Sequence, residues 1–330
     1  MSSSTSSSEG RSRRLWRKLL GPTTLVVVVV LLLIEAFSRT ALVGASKDLR
    51  RFRGYPAAAR ALVAAPGLHV ALIGNSATER GVDDALLSDG LTARAGRPVL
   101  ARKFVADASR VNDWHFMLER FFWDTGARPD LFVVTFYEDD LEDGNRIEIG
   151  RFAQFFTQAR DWPNVFDVDV DGLGDRVDFL ISSAWMTFAV RSRIRDRLMG
   201  VNENLDDFLM RVNRVNRQRL MGAGQRAGRP GATVHGYRAL DRLLAVAAAH
   251  GAHVLFVAYP PAPPPANQPY VIPEDTLAHL RAGHAELLDM RDKVPLIQPR
   301  HYADDVHLSP EGARLYSQAL AEALAPHIPR

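Results

Sequence analysis

The chain has 330 residues, 47% hydrophobic and 24% charged, a composition that suits one large globular domain with an insertion or two small domains. The pI of 9.3 rests on a net charge of only +3, with arginines spread along the chain, so a nucleic-acid partner is not expected. The absence of Cys excludes disulfides, thiolate catalysis, Cys-ligated zinc and a lipid-modified N-terminal Cys together.

The N-terminus reads as membrane targeting. A Ser-rich tail, MSSSTSSSEG, leads into the basic cluster RSRRLWRK, and Leu19 to Ile34 carries no charge. These 16 residues rise about 24 Å as a helix, short of a roughly 30 Å hydrocarbon core, and Ala36, Phe37 and Ser38 extend the run past Glu35. The expected layout is a cytoplasmic basic tail (1–18), a signal-anchor helix crossing the membrane upright (19–38) and a linker (39–66). A cleavable signal peptide with VGA at 43–45 is the rival reading. Five Lys/Arg precede the span and five follow it within about twenty residues, but the first five sit closer. That proximity favours a single-pass protein of the cell membrane with its large domain periplasmic or extracellular.

From residue 67 to 330 short apolar runs alternate with helix-like segments, the pattern of a parallel sheet covered on both faces. The runs are LHVALIG (68–74), PVLARKFV (98–105), DLFVVTF (130–136), AHVLFVAY (252–259) and VPLIQ (294–298). Between them VNDWHFMLERFFWD, GYRALDRLLAVAAAHG and EDTLAHLRAGHAELLDMRDK carry apolar residues at three- and four-residue steps. The prediction is an α/β, three-layer (α/β/α) flavodoxin-like domain with a five-stranded parallel sheet and ligands at the carboxyl ends of the strands. A mostly helical insertion, about 145–232, interrupts it. That insertion holds RFAQFFTQARDW, the long stretch DFLISSAWMTFAVRSRIRDRLM and a Gly-rich loop, MGAGQRAGRPGA.

Near the C-terminus, HYADDVHLSPEGARLYSQAL places Asp304 and His307 just before a helix start, with Ser309 as N-cap, Pro310 at the first helical position and Glu311 in the first turn. A carboxylate three residues before an imidazole can orient it, which supplies the base and orienter of a hydrolytic triad. Taken alone, the same residues also read as turn formers beside a solvated histidine.

IGNS at the end of the first run, FYEDDL at the end of the third, and DDVHLSPEGARLYSQAL before the last helix resemble, in sequence order, the signature blocks of the SGNH/GDSL hydrolase family. Within it they are most similar to the membrane-anchored bacterial members related to polysaccharide O-acetyltransferases and deacetylases. The resemblance spans about 68 to 325 apart from the insertion. It implies Ser76 as nucleophile, His307 as general base and Asp304 as the residue that holds the imidazole tautomer. It also implies an oxyanion hole made from the Ser76 N–H, a Gly N–H of the second block and an Asn side chain of the third.

This chain departs from the pattern in VADASRVNDW, which has no Gly, so that Ala106 or Ala108 must supply the N–H. It departs again where Gly-x-Asn-Asp reads Tyr137-Glu138-Asp139-Asp140. An ionised Asp139 accepts hydrogen bonds and donates none, and loss of one oxyanion donor costs about 10²–10³ in rate. Asn75, at the family's usual Asp, and Asn112 are the alternative donors.

The resemblance thus implies an esterase or O-acyltransferase acting on an acylated glycan or small ester. It needs no cofactor and no metal, and a membrane-bound acyl donor protein is a partner for the transfer reaction. The alternative function is a catalytically weak binding or assembly module of an envelope polysaccharide system. Three further features weigh toward structure. DVDVDGLGDRVD (167–178) has the spacing of a calcium loop, but Gly174 stands where an apolar residue belongs and Asp178 replaces the bidentate Glu, so a strand or turn is expected. The Arg-rich run 191–229 reads as a solvated helix face rather than a lipid or glycan site. Phe152, Phe155, Phe156 and Trp162 read as packing rather than a sugar platform.

Overall fold

The computed structural model describes residues 21–143, 147–194, 236–262, 270–294 and 298–329. The basic tail, the first two residues of the expected span, the Gly-rich segment 221–232 and most of the Arg-rich run lie outside them.

Helix α1 (Pro22–Phe37) has no buried residue and continues through a π-helical turn, Ser38–Leu42. Together these 21 residues are long and apolar enough to cross a membrane, with a mean hydropathy of 2.3 over the most apolar 18-residue stretch. The segment expected to be a linker is instead largely helix α2 (Lys47–Val63). Its Arg-rich sequence hides Leu49, Phe52, Tyr55, Ala59 and Leu62 at three- and four-residue steps, and these five are buried in the core. The Tyr55 hydroxyl donates to Val105 O at 2.8 Å and accepts from Val105 N at 2.9 Å, which fixes α2 to the end of an edge strand.

The domain then follows the expected alternation: β1 (Leu68–Gly74), α3 (Ser76–Gly81), α4 (Asp84–Ala95), β2 (Val99–Val105), α5 (Val111–Leu118) and β3 (Leu131–Phe136). After the insertion, which contains α6 (Gly172–Ala184), come α7 (Arg238–Ala249), β4 (Val254–Ala258), α8 (Glu274–Ala282), β5 (Glu286–Asp289) and α9 (Pro310–Leu324). The sheet is parallel throughout, in the order β2-β1-β3-β4-β5. Alternate residues enter opposite layers, as the two-residue period of a strand requires. Val70, Leu72, Leu131 and Val133 pack with α4 and α9 on one face, whereas Ala71, Ile73, Phe132 and Val134 pack with α2, α5 and α7 on the other.

The fifth strand is a correction. Residues 274–293 do not form one helix: α8 stops at Gly283, His284 takes a left-handed φ of +54°, and the four residues of β5 pair with β4. Of VPLIQ, residues 295–297 lie outside those described.

The long helix expected from residue 178 also breaks, at Trp185, whose backbone is extended. The break has a chemical cause. The Glu35 carboxylate accepts from Met186 N at 2.8 Å and Thr187 N at 2.9 Å, capping the short helix Met186–Ala189 from outside the insertion. Residues 167–178 are neither strand nor ion loop: they run from a π-helical turn (Val165–Asp169) through two extended residues, Val170 and Asp171, into α6. Asp167 pairs with Arg238, Asp169 with Arg242 and Asp178 with Arg191, each carboxylate neutralised separately. Among the described residues no group of three or more His, Asp or Glu is arranged to hold a metal. Phe52 stacks edge-on against Phe156, and Phe152 against Phe116, so these insertion rings are packing.

Candidate active site

The site begins at the carboxyl end of β1, where Gly74 is required by space: a Cβ there would lie 2.0 Å from Thr78 Oγ1 and 3.2 Å from Thr135 O. The chain then turns into α3, with Asn75 as N-cap, its Oδ1 accepting from Ala77 N at 3.0 Å. Ser76 is therefore the first helical residue, and its N–H has no acceptor within the helix.

His307 comes from the loop before α9. That loop is closed at its base by Ser309 N donating to His301 O and Ala303 N to His307 O, both at 2.7 Å. The Tyr302 hydroxyl ties it to the carboxyl end of β4 through Pro260 O and Pro261 O at 3.1 and 2.9 Å. Ser309 Oγ caps α9 by accepting from Gly312 N. Helix α9 in turn packs on α3 and α4, with Ser317 Oγ accepting from Asp83 N at 2.8 Å. Two rigid elements thus carry the serine and the histidine to one place.

His307 Nε2 lies 2.9 Å from Ser76 Oγ, and His307 Nδ1 lies 2.9 and 2.8 Å from the two carboxylate oxygens of Asp304. Asp304 Oδ1 also accepts from Val306 N at 3.0 Å and His307 N at 2.8 Å. Desolvation works to raise the Asp304 pKa, but these backbone bonds and the His307 contact outweigh it and lower the pKa to about 2. Asp304 is then an anion at any working pH and accepts from Nδ1–H, which leaves Nε2 to accept from the serine hydroxyl.

The surroundings revise the rest of the expected oxyanion set. Ala108 adopts a φ of +52°, the left-handed conformation that glycine takes freely. Its turn is fixed to β1 by Ala106 N and Ser109 Oγ, which donate to Gly74 O at 3.2 and 3.1 Å. Asn75, read as a possible donor, uses its amide instead to bond Asp140 Oδ2 at 2.9 Å and, more weakly, Ser109 O at 3.5 Å. Asn112 is buried and donates to Asp169 Oδ1 at 2.7 Å. Asp139 accepts from Arg110 Nη1 at 2.6 Å, so this position is occupied as an acceptor paired with a cation where an amide donor is expected.

Two groups the sequence did not single out complete the frame. Asp140 is buried, accepts from Asn75 and from Tyr137 N, and desolvation raises its pKa to about 7 against the lowering effect of Arg110. Its place as the second Asp of FYEDDL was the available signal. Arg151, from the insertion, is also buried. It bonds the carbonyl of Asp107, the other half of the peptide that carries the Ala108 N–H, and it lies 3.6 Å from Asp113 and 3.2 Å from Glu148. No short-range pattern in the sequence marks Arg151.

The fold and site define an α/β domain that joins a serine, a histidine and an aspartate at the carboxyl ends of a parallel sheet. No protein-family model and no curated protein matches the chain. Solved structures similar to it include a lipase/acylhydrolase from Enterococcus faecalis, at 12% identity and TM-score 0.37, covering 79% of this chain and 96% of that one. An acetyl xylan esterase from Geobacillus stearothermophilus matches at 11% identity and TM-score 0.38, again covering 79% and 96%. A GDSL-like lipase from Bacteroides thetaiotaomicron matches at 11% and TM-score 0.35, covering 84% and 99%. At this identity and superposition the likeness carries no argument about chemistry.

Proposed function

We propose that this chain is an SGNH-type serine esterase or O-acyltransferase, anchored in the cell membrane by α1 and acting on an acyl ester of a cell-envelope or extracellular glycan. The observation that carries this reading is the unbroken line from Asp304 through His307 to Ser76, with His307 Nε2 2.9 Å from the serine oxygen.

The chemistry follows from that line. Ser76 Oγ attacks the acyl carbonyl as its proton passes to His307 Nε2, and the Asp304 carboxylate stabilises the resulting imidazolium. The tetrahedral oxyanion is met by the N–H groups of Ser76 and Ala108. Collapse breaks the ester bond, returns the proton from His307 to the leaving alcohol oxygen and leaves the acyl group on Ser76. A water or a sugar hydroxyl then attacks the acyl-serine by the same route, giving hydrolysis or transfer. For transfer, the acyl group would come from a membrane-bound donor.

Asp139, paired with Arg110 where a neutral amide donor is expected, favours a second reading as a binding or assembly module of weak activity. Acetate release from 4-nitrophenyl acetate by the full-length protein in detergent separates the two. Turnover that disappears in Ser76→Ala supports the enzyme, and equal background rates for the two proteins leave the binding module.

A further inference from the structure

Helix α6 is apolar on the wrong side for a soluble protein. Phe179 and Ser182 face the interior and are buried, whereas Leu173, Val177, Leu180 and Ile181 point outward with 80%, 45%, 39% and 38% of their surface exposed. Their spacing of four, three and one residues makes a single stripe along the helix. Outside α1, the other large apolar side chains exposed among the described residues are Leu100 and Val271 alone. The stripe is therefore a local feature rather than a general property of the surface.

The stripe is joined to the end of α1. Glu35 accepts from Met186 N and Thr187 N, Arg39 Nη2 donates to Ala184 O at 3.2 Å, and the Thr187 and Ser38 hydroxyls are hydrogen-bonded to each other at 2.9 Å. Length puts this junction at the membrane boundary. From Pro22 to Ile34 the helix rises about 20 Å, so a core of roughly 30 Å reaches past Glu35. A carboxylate at that depth requires partners, and Glu35 has them in two backbone N–H groups, the Thr187 hydroxyl and Arg39.

We propose that the outer face of α6 lies in the bilayer surface beside the exit of α1, so that the domain is held by two contacts with the lipid rather than one. The proposal rests on the reading of α1 as a membrane span. It commits to lipid because the last residue of α6, Ala184, and the turn that follows it, Met186 and Thr187, are hydrogen-bonded to the end of the apolar helix α1, which brings the stripe beside the point where that helix leaves the membrane. A helix of this kind sinks its apolar side chains into the headgroup and upper acyl region. The catalytic face is then held at a set height and orientation above the membrane.

The absence of native Cys makes the test direct. Full-length Leu173→Cys, Val177→Cys and Ile181→Cys, each carrying the environment-sensitive fluorophore NBD, are placed in nanodiscs of phosphatidylcholine and phosphatidylglycerol with or without headgroup-proximal nitroxide lipid. Val28→Cys reports the span and Arg314→Cys, exposed on α9, reports water. Unchanged melting curves certify each labelled protein. The expected result is blue-shifted emission and about twofold or greater nitroxide quenching at the three α6 sites, with Arg314→Cys unquenched. Quenching at Val28→Cys without quenching on α6 overturns the proposal and leaves the span. No lipid signal at Val28→Cys removes the span and the proposal with it. Blue-shifted but unquenched α6 sites show that protein, either residues 195–235 or a second copy, covers the stripe, and this also overturns the proposal.

Discussion

Asn75 Nδ2 donates to Asp140 Oδ2 at 2.9 Å, so the residue preceding Ser76 is tied to the segment that follows β3 by a buried carboxylate. Desolvation raises that carboxyl from 3.8 to about 7. Between about pH 4 and 7 the folded protein therefore holds a proton that the unfolded chain has lost, and this group makes stability fall as pH rises through that window. Asp140→Asn removes the titration while keeping an oxygen acceptor. Its melting temperature should fall less than wild type between about pH 5 and pH 7.5, by a difference on the order of a few degrees. Parallel melting profiles would contradict the assignment.

Asp304→Asn should lower kcat by about 10³–10⁴ with little loss of stability. The asparagine oxygen can still accept the Val306 and His307 N–H groups, but its NH₂ can donate to Nδ1, which favours the imidazole tautomer that cannot take the serine proton. Circular dichroism and steady-state turnover on one preparation check both halves. An unfolded variant or a fully active one goes against the role given to Asp304.

Ala108 holds a left-handed backbone, which costs a residue with a Cβ roughly 1 kcal/mol. Ala108→Gly should raise the melting temperature by about 2–4 °C, and Ala108→Val should lower it. Thermal unfolding of the two variants tests this, and the opposite order would show that the turn is not strained.

Arg151 links the insertion to the Asp107–Ala108 peptide. Arg151→Ala leaves Asp113 buried without its cation and should cost about 3 kcal/mol of stability. Arg151→Lys retains the charge but not the planar fork. It should keep most of the stability and lower kcat about tenfold with a smaller change in KM, because the peptide bearing the Ala108 N–H is less well oriented. A change confined to KM would assign Arg151 to substrate binding instead.

Four strands were legible in the sequence: β1, β3 and β4, which are largely buried on both faces, and the edge strand β2, expected at 98–105 and found at Val99–Val105. LHVALIG is β1 without a residue of error, and DLFVVTF and AHVLFVAY overshoot β3 and β4 by one to three residues. The fifth strand was hidden because ELLD is only four residues long and continues a helical spacing, so the break at Gly283 and His284 was the only mark of it. Helix α2 was hidden by its arginines, which snorkel from a helix whose apolar stripe is complete. The cap at Ser309 was legible because capping is local. The bonds from Asp140 to Asn75, from Arg151 to Asp107 and from Glu35 to Met186 were not, since each joins residues 44 to 151 positions apart that only the folded chain brings together.

The central claim is that Ser76 is a nucleophile activated by His307, and covalent labelling tests it most directly. Full-length wild type, Ser76→Ala and His307→Ala are treated with a fluorophosphonate probe, and the adduct is mapped by mass spectrometry. The account predicts one adduct, on Ser76, absent from Ser76→Ala and slowed by about 10³-fold or more in His307→Ala. Wild type that labels no faster than Ser76→Ala would contradict it.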